Sequence, residues 1–420
     1  MKLKHISLIE LSNVDKLTVE GQEAVLLCNY LDVYKNEKIT SRISFMQASA
    51  SDEQIKRLSI RKSDVLLTKD SETPEDIGVP AIVAEELDNV VCGYHLALAR
   101  PNPRVVLGEF LFRAIQAEPT KKYYFSSAVG MTRYGLDKQA ISDTPIPLPA
   151  LAEQITIADY LDHETAKLDA MISAKEELLE LLVEKRRALI THAVTRGLNP
   201  NVRLRDSGVE WLGEIPEHWN VRKLKLIAEI SYGVGDELDK SLVSGVPLIS
   251  LPNVSIDGVL DLTEHGWTDL DEKQKSSFLL RKGDLLFNWR NGSSRHLGKT
   301  AYFDADGEWT HVGFLLRIRF DRDKYQARFF QSYLGALRIT GFFASARAMV
   351  NNTFNQTELE NLYVVVPPLA EQEAIAEYLE VEIKKLDDLT IAAQETIALL
   401  RERRTALIAA AVTGQIRVTS

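Results

Sequence analysis

One helical segment occurs twice in this chain. Leu151-Ala152-Glu153-Gln154 opens a run through Ile157, Tyr160, Leu161, Lys167-Leu168-Asp169, Glu184 and Arg186 to Ala193-Val194-Thr195. A shift of 218 residues brings up Leu369-Ala370-Glu371-Gln372, then Ile375, Tyr378, Leu379, Lys385-Leu386-Asp387, Glu402 and Arg404, ending at Ala411-Val412-Thr413. Of 45 aligned positions 24 are identical, without a gap. Identity extends to positions that a core alone would not dictate, which argues against two unrelated amphipathic helices packing on their own domains.

Both runs are rich in Ala, Leu, Glu, Lys and Gln, which favour helix. In the first, Leu161, Thr165, Leu168, Ile172, Lys175, Leu179, Leu182, Arg186, Leu189 and Ala193 follow the 4-3 spacing of a heptad seam. Its counterpart runs from Leu379 through Ile383, Leu386, Thr390, Ala393, Ile397, Leu400, Arg404 and Leu407 to Ala411. A lone helix would leave such a seam exposed, so each copy is expected to pair with the other. Each helix follows one head and leads toward the next, which favours antiparallel pairing and a pseudo-two-fold arrangement. About 40 residues at ~1.5 Å rise make a rod of roughly 60 Å, shorter if the helix breaks near His163.

Prolines punctuate the start of each rod: Pro145, Pro147 and Pro149 before the first, Pro367 and Pro368 before the second. The expected organisation is a head over 1–146, a helix and linker over 147–206, a second head over 207–366, and a second helix with a tail over 367–420. The heads differ in sequence but echo one another. Lys2-Leu3-Lys4 resembles Lys223-Leu224-Lys225, and Ile60-Arg61-Lys62-Ser63-Asp64-Val65 resembles Leu280-Arg281-Lys282-Gly283-Asp284-Leu285. Short strands between Gly/Asn/Asp turns, with helices near Phe110–Gln116 and Ala327–Leu337, make each head α+β.

Bulk properties narrow the function classes. Hydrophobic residues make up 45% and charged residues 26%, as in a globular protein. No apolar run approaches the ~18 residues of a membrane helix, and the start lacks a secretory core, so the chain reads as cytoplasmic. Cys28 and Cys92 have no metal-ligand spacing and read as buried free thiols. The net charge of −10 argues against a purely electrostatic nucleic-acid binder; partners are expected to supply part of the phosphate contacts.

Ser293-Ser294-Arg295-His296-Leu297-Gly298-Lys299-Thr300 comes close to a phosphate loop but lacks its first glycine, and Ala301-Tyr302-Phe303 after it reads as strand where a helix is needed. No Gly-x-Gly methyl-donor loop follows a strand, and the histidines show no metal spacing. The chain therefore reads as non-catalytic. Its loops suit base reading. Asn288, Trp289, Arg290, Asn291, Ser293 and Arg295, with Lys299, gather amide, guanidinium, hydroxyl and aromatic groups. Arg pairs with the major-groove edge of guanine and Asn with that of adenine. The related place in head one holds Lys69, Asp70 and Ser71. Arg133 and Tyr134, and Asn351 and Asn352, precede the Pro-rich segments, and Tyr94-His95 and Thr310-His311 are candidates for the same faces. For any one of these residues an ordinary solvated loop is the alternative.

With these motifs the chain resembles the specificity subunit of a type I restriction–modification system. The carriers are the duplicated Leu-Ala-Glu-Gln, the Ile-Ala-(Asp/Glu)-Tyr-Leu step, Lys-Leu-Asp, the Ala-Leu-Ile…Ala-Val-Thr exit, and the lead-in Ser207-Gly208-Val209-Glu210-Trp211-Leu212-Gly213-Glu214-Ile215-Pro216-Glu217-His218-Trp219. Head one lacks that lead-in and starts at Met1-Lys2-Leu3-Lys4. The resemblance implies two target recognition domains, each reading half of a bipartite, asymmetric site on double-stranded DNA. It implies helices that set the gap and dock two methyltransferase subunits, with two restriction subunits able to join. S-adenosylmethionine, ATP and Mg are expected on those partners, none in this chain. A coiled-coil adaptor that never touches DNA is the alternative.

Overall fold

The computed structural model describes residues 1–235, 242–290, 296–345 and 353–418. The chain divides into two compact units: Met1–Glu176 with Ala393–Ser420, and Glu177–Ala392.

In the first unit, a five-stranded sheet has the order Ser7–Leu11, Leu96–Pro101, Val65–Thr68, Pro80–Val83, Lys38–Ile39. All neighbours are antiparallel except the last pair, which is parallel. Alternate residues of a strand point to opposite faces. Val65 and Leu67 join the core under the helix Gly108–Gln116, while Leu66 faces a second core shared with the small sheet Met46–Ala50, Glu23–Cys28, Val90–Cys92. A strand covered on both faces must be apolar at every position, which explains the unbroken Val65-Leu66-Leu67.

The second unit repeats this frame on a different sequence. Its main sheet runs Ala228–Tyr232, Leu315–Phe320, Leu285–Asn288, Thr300–Tyr302, and its small sheet Gly266–Thr268, Val246–Ile249, Thr310–His311. Leu285 and Phe287 face one core and Leu286 the other. The sequence echoes mark shared anchors. Asp64 accepts from Arg100 at 2.7 Å and from the Arg61 amide at 2.9 Å; Asp284 accepts from Arg319 at 2.6 Å and from the Arg281 amide at 2.7 Å. Both carboxylates are almost fully buried. The Lys-Leu-Lys echoes form matching single 3-10 turns, Leu3–His5 and Leu224–Leu226.

The long helices span Leu151–Arg196 and Leu369–Val412, and the first runs unbroken through His163. Both stop at glycines in the left-handed region, Gly197 and Gly414, as helix ends commonly do. What ties each helix start to its head is the buried glutamine of Leu-Ala-Glu-Gln. Gln154 accepts from the Leu107 amide at 2.9 Å and donates to the carbonyls of Val105 (3.0 Å) and Pro149 (2.9 Å). Gln372 accepts from the Gln326 amide at 2.9 Å and donates to Pro367 at 2.8 Å. Leu107 and Gln326 directly precede the helices Gly108–Gln116 and Ala327–Ile339, so one side chain joins two helix starts in each unit. Trp219 of the lead-in is buried and donates to Glu371 at 2.7 Å, a further tie in the second unit.

Within each unit the two helical segments pair antiparallel. In the first, Arg404 bonds Asp169 at 2.7 Å and Arg401 bonds Glu176 at 2.8 Å, while Ile157 and Leu161 share a core with Ile408, Ala411 and Val412. In the second, Arg186 pairs with Asp387, and Ile190 and Val194 pack with Leu379 and Ile375. The duplicated Lys-Leu-Asp aspartate thus always meets the arginine of the other copy. Every seam position expected from the heptad spacing is buried or half-buried. Among the described residues no helix is long and apolar enough to cross a membrane.

Candidate nucleic-acid interface

In the first unit the strand Val65–Thr68 runs on into Lys69 and the short strand Asp70–Ser71, which pairs with Tyr134–Gly135. This pairing brings together residues far apart in sequence. Asp70 Oδ2 lies 2.9 Å from His95 Nδ1 and accepts from Lys69 Nζ at 3.3 Å. Arg133 Nη2 lies 3.2 Å from His95 Nδ1 and 3.4 Å from Nε2. Lys69 Nζ sits 4.7 Å from the centre of the Tyr94 ring, which meets His95 edge-on. Lys69, Asp70, Ser71, Tyr94, His95, Arg133 and Tyr134 therefore form one cluster. A carboxylate there can accept from a base amine, and the arginine and histidine can donate to base or phosphate oxygens.

Two residues beside the cluster escaped sequence reasoning. Tyr30 and Tyr34 stack with ring centres 5.5 Å apart, and Tyr34 Oη donates to Asp76 at 3.1 Å. The Tyr30 phenol is shifted upward, first by burial. The signal available was the capping box Asn29…Asp32, which starts the short helix Tyr30–Lys35.

The equivalent place in the second unit carries other chemistry. Asp70 pairs with Gly135 in the first unit, and Arg290 forms an isolated bridge with Thr353 in the second, so the two ladders correspond. The Trp289 indole N–H donates to the Gly313 carbonyl at 2.7 Å, and its ring meets Tyr232 edge-on. The Arg290 guanidinium lies 5.7 Å from the Phe314 ring centre. Asn291, Ser293, Arg295, Asn351 and Asn352 lie outside the described residues.

Several expected contacts turn inward. Asn288 is fully buried, as Thr68 is at the matching strand end. Lys299 is buried with Nζ donating to the Val254 carbonyl, and burial lowers its pKa. Strand Thr300–Tyr302 follows directly where a phosphate loop needs a helix start, so the phosphate-loop pattern is not one. Thr310 and His311 are also buried, in a strand of the small sheet. Burial, then the nearby Arg317 charge, lowers the His311 pKa to about 4. Asn288, Thr310 and His311 lie in strands whose pleats face a core, and Lys299 stands one residue before such a strand, a direction that a loop reading cannot supply.

The family model for the type I restriction modification DNA specificity domain matches residues 29–181 and 216–398, most of the chain. The chain belongs to this specificity family. Among its relatives, a Methanocaldococcus jannaschii type I restriction enzyme specificity subunit, MjaX, is 33% identical over 173 residues, 40% of each chain. The MjaVIII specificity subunit of the same organism is 22% identical over 370 residues, 86% of this chain and 81% of that one. The EcoKI specificity subunit of Escherichia coli is 25% identical over 288 residues, 64% of this chain and 57% of that one. The chain thus spans less than two thirds of the length of two of these three. Among solved structures, the HsdS subunit from Thermoanaerobacter tengcongensis superposes with a TM-score of 0.61 at 20% identity, covering 99% of this chain and 96% of that one. A chain from a study of complex assembly and conformational transition of the type I R-M system reaches 0.77 at 19% identity, covering 99% and 97%. At such identities the likeness concerns the fold. The specificity-family frame is therefore the one on which the two unlike clusters sit.

Proposed function

We propose that this chain is the sequence-reading, non-catalytic subunit of a cytoplasmic type I restriction–modification complex, in which each head reads one half of a bipartite, asymmetric site on double-stranded DNA. The observation that carries the reading is one frame with two chemistries. At corresponding strand ends the first head offers Lys69, Asp70, His95 and Arg133, the second Trp289 and Arg290. Direct readout depends on side chains of this kind, so unlike clusters imply unlike half-sites. An adaptor would have no use for them, and membership of a DNA specificity family goes against it.

The paired helices then set the gap between half-sites and dock two methyltransferase subunits, which hold S-adenosylmethionine; two restriction subunits bring ATP and Mg. Half-site spacing follows protein geometry. Two experiments test this. Replacing Arg290 and Asn291 together by alanine should relax or abolish one half-site in a methylation assay and leave the other intact; equal loss at both half-sites contradicts the assignment. Inserting four residues, roughly one turn, in a long helix should lengthen the gap with both half-sites unchanged, and an unaltered gap would sink the ruler.

A further inference from the structure

The two frames differ at one edge. In the first unit, Lys38–Ile39 forms the fifth strand, parallel to Pro80–Val83. The Ile82 amide donates to the Glu37 carbonyl at 2.9 Å, and the Ala84 amide to Ile39 at 3.0 Å. The Glu37 side chain then becomes a hub. It accepts from Arg404 at 2.6 Å, from Gln116 at 2.5 Å and from Arg113 at 3.3 Å, and Arg113 continues to Asp162 at 2.8 Å.

In the second unit Thr300–Tyr302 is the edge strand; among the described residues its one ladder partner is Leu285–Asn288, while Gly258 and the Gln331 amide lie against the Thr300 carbonyl. Its register places Tyr302 where Ile82 stands, since Leu285 pairs with Tyr302 as Val65 pairs with Ile82. No fifth strand covers it among the described residues. The glutamine tethers align Leu107 with Gln326, so Arg113 and Gln116 correspond to Ser332 and Gly335. Two large polar side chains are thus replaced by two small ones. The result is a groove between the helix Ala327–Ile339, the strand edge and the long helices, lined by Tyr302, Ser332, Gly335, Arg186 and Glu380 among others. A Cβ built on Gly335 meets nothing within 4 Å. At the far wall stands Arg186, the counterpart of Arg404, paired with Asp387; among the described residues no glutamate joins that pair as Glu37 joins Arg404.

We propose that this groove is a docking site for an extended segment of a partner protein, which adds as a fifth strand parallel to Thr300–Tyr302 and directs an acidic side chain at Arg186. Edge strands present a template for strand addition, with main-chain bonds giving affinity and side-chain pockets giving selectivity. The first unit contains the occupied form of the same arrangement, and that form fixes the chemistry: a carboxylate one residue before the strand, facing the seam arginine. This site is separate from the DNA-reading clusters, and its test does not depend on them.

The probe is a fluorescent peptide spanning Tyr30–Arg42, the first unit's own segment, titrated against the full chain by anisotropy. Saturable binding is expected. A Glu37→Gln peptide should bind at least about tenfold more weakly, the factor for losing a charge-assisted hydrogen bond. In the protein, Gly335→Gln restores the donor that meets Glu37 in the first unit and should tighten binding of the Glu37 peptide but not of the Glu37→Gln peptide. Glutamine is a better helix former than glycine, so the variant is expected to fold; a thermal melt checks this. Should it not fold, the comparison of the two peptides on the unmodified chain decides. Absence of saturable binding, equal affinity of both peptides, or a folded Gly335→Gln chain that binds the Glu37 peptide no more tightly overturns the proposal.

Discussion

The buried glutamine at each helix start makes a quantitative prediction. Gln154→Leu keeps the size of the side chain and removes its polar atoms. Three backbone groups then lose their partner: the Leu107 amide and the carbonyls of Val105 and Pro149. Gln154 is fully buried, so water cannot readily replace it. Each stranded group costs about 1–3 kcal/mol, and the added apolar burial returns about 1–2 kcal/mol. The net loss spans about 1–8 kcal/mol, with about 3–5 kcal/mol as its central range, mechanistically a buried polar group left unsatisfied. For a unit of about 200 residues, at about 2–4 °C per kcal/mol, the first unit's transition should fall by about 6–20 °C. Gln372→Leu strands two groups and should cost less. Calorimetry suits the measurement, because two compact units need not unfold in one step. A Gln154→Leu protein that melts within about 2 °C of the parent, or a larger loss for Gln372→Leu, refutes the reasoning.

Other outcomes follow from the same geometry. Arg404→Ala should destabilise by about 1–2 kcal/mol, because the mostly buried guanidinium holds two carboxylates, Asp169 and Glu37, that are themselves partly exposed to water. Arg186→Ala, whose Asp387 partner is half exposed, should cost about 1 kcal/mol or less; denaturant titration orders the two. His311 titrates at about 4 in the fold against an ordinary 6.5. The unfolded chain therefore takes up the proton first as pH falls. The stabilisation is whole above pH 6.5, is lost progressively down to about pH 4, and amounts to at most about 3 kcal/mol. His311→Gln should flatten the stability–pH curve in that window, and an unchanged slope there would contradict the assignment.

Much of the frame was visible in the residues, for identifiable reasons. A heptad seam is a local, periodic pattern, so Leu161 to Ala193 and Leu379 to Ala411 could be placed on one buried face before any tertiary information. The Asp64 and Asp284 turns were found because the same four-residue geometry imposes the same sequence twice. The tethers were not legible. Gln154 stands out only once Leu107, 47 positions away, is known to lie beside it. The candidate interface was legible as a set of loops and not as a set of directions. Lys69, His95 and Arg133 converge because three strand ends converge, while Asn288 and His311 belong to pleats that face inward and Lys299 is buried just before one. Tyr30 and Tyr34 reach the same place from a helix that carries no nucleic-acid signature. The open edge at Thr300–Tyr302 became visible only by comparing the two frames register by register.

The central claim is that one frame used twice, with unlike side chains at its reading ends, yields a split and asymmetric target. The most direct test is to co-express the chain with its neighbouring methyltransferase subunit and map methyladenine across the host genome. The account predicts methylation at a single motif made of two different half-sites separated by a fixed gap. A continuous or symmetric motif, or no new motif from a soluble complex, would contradict it.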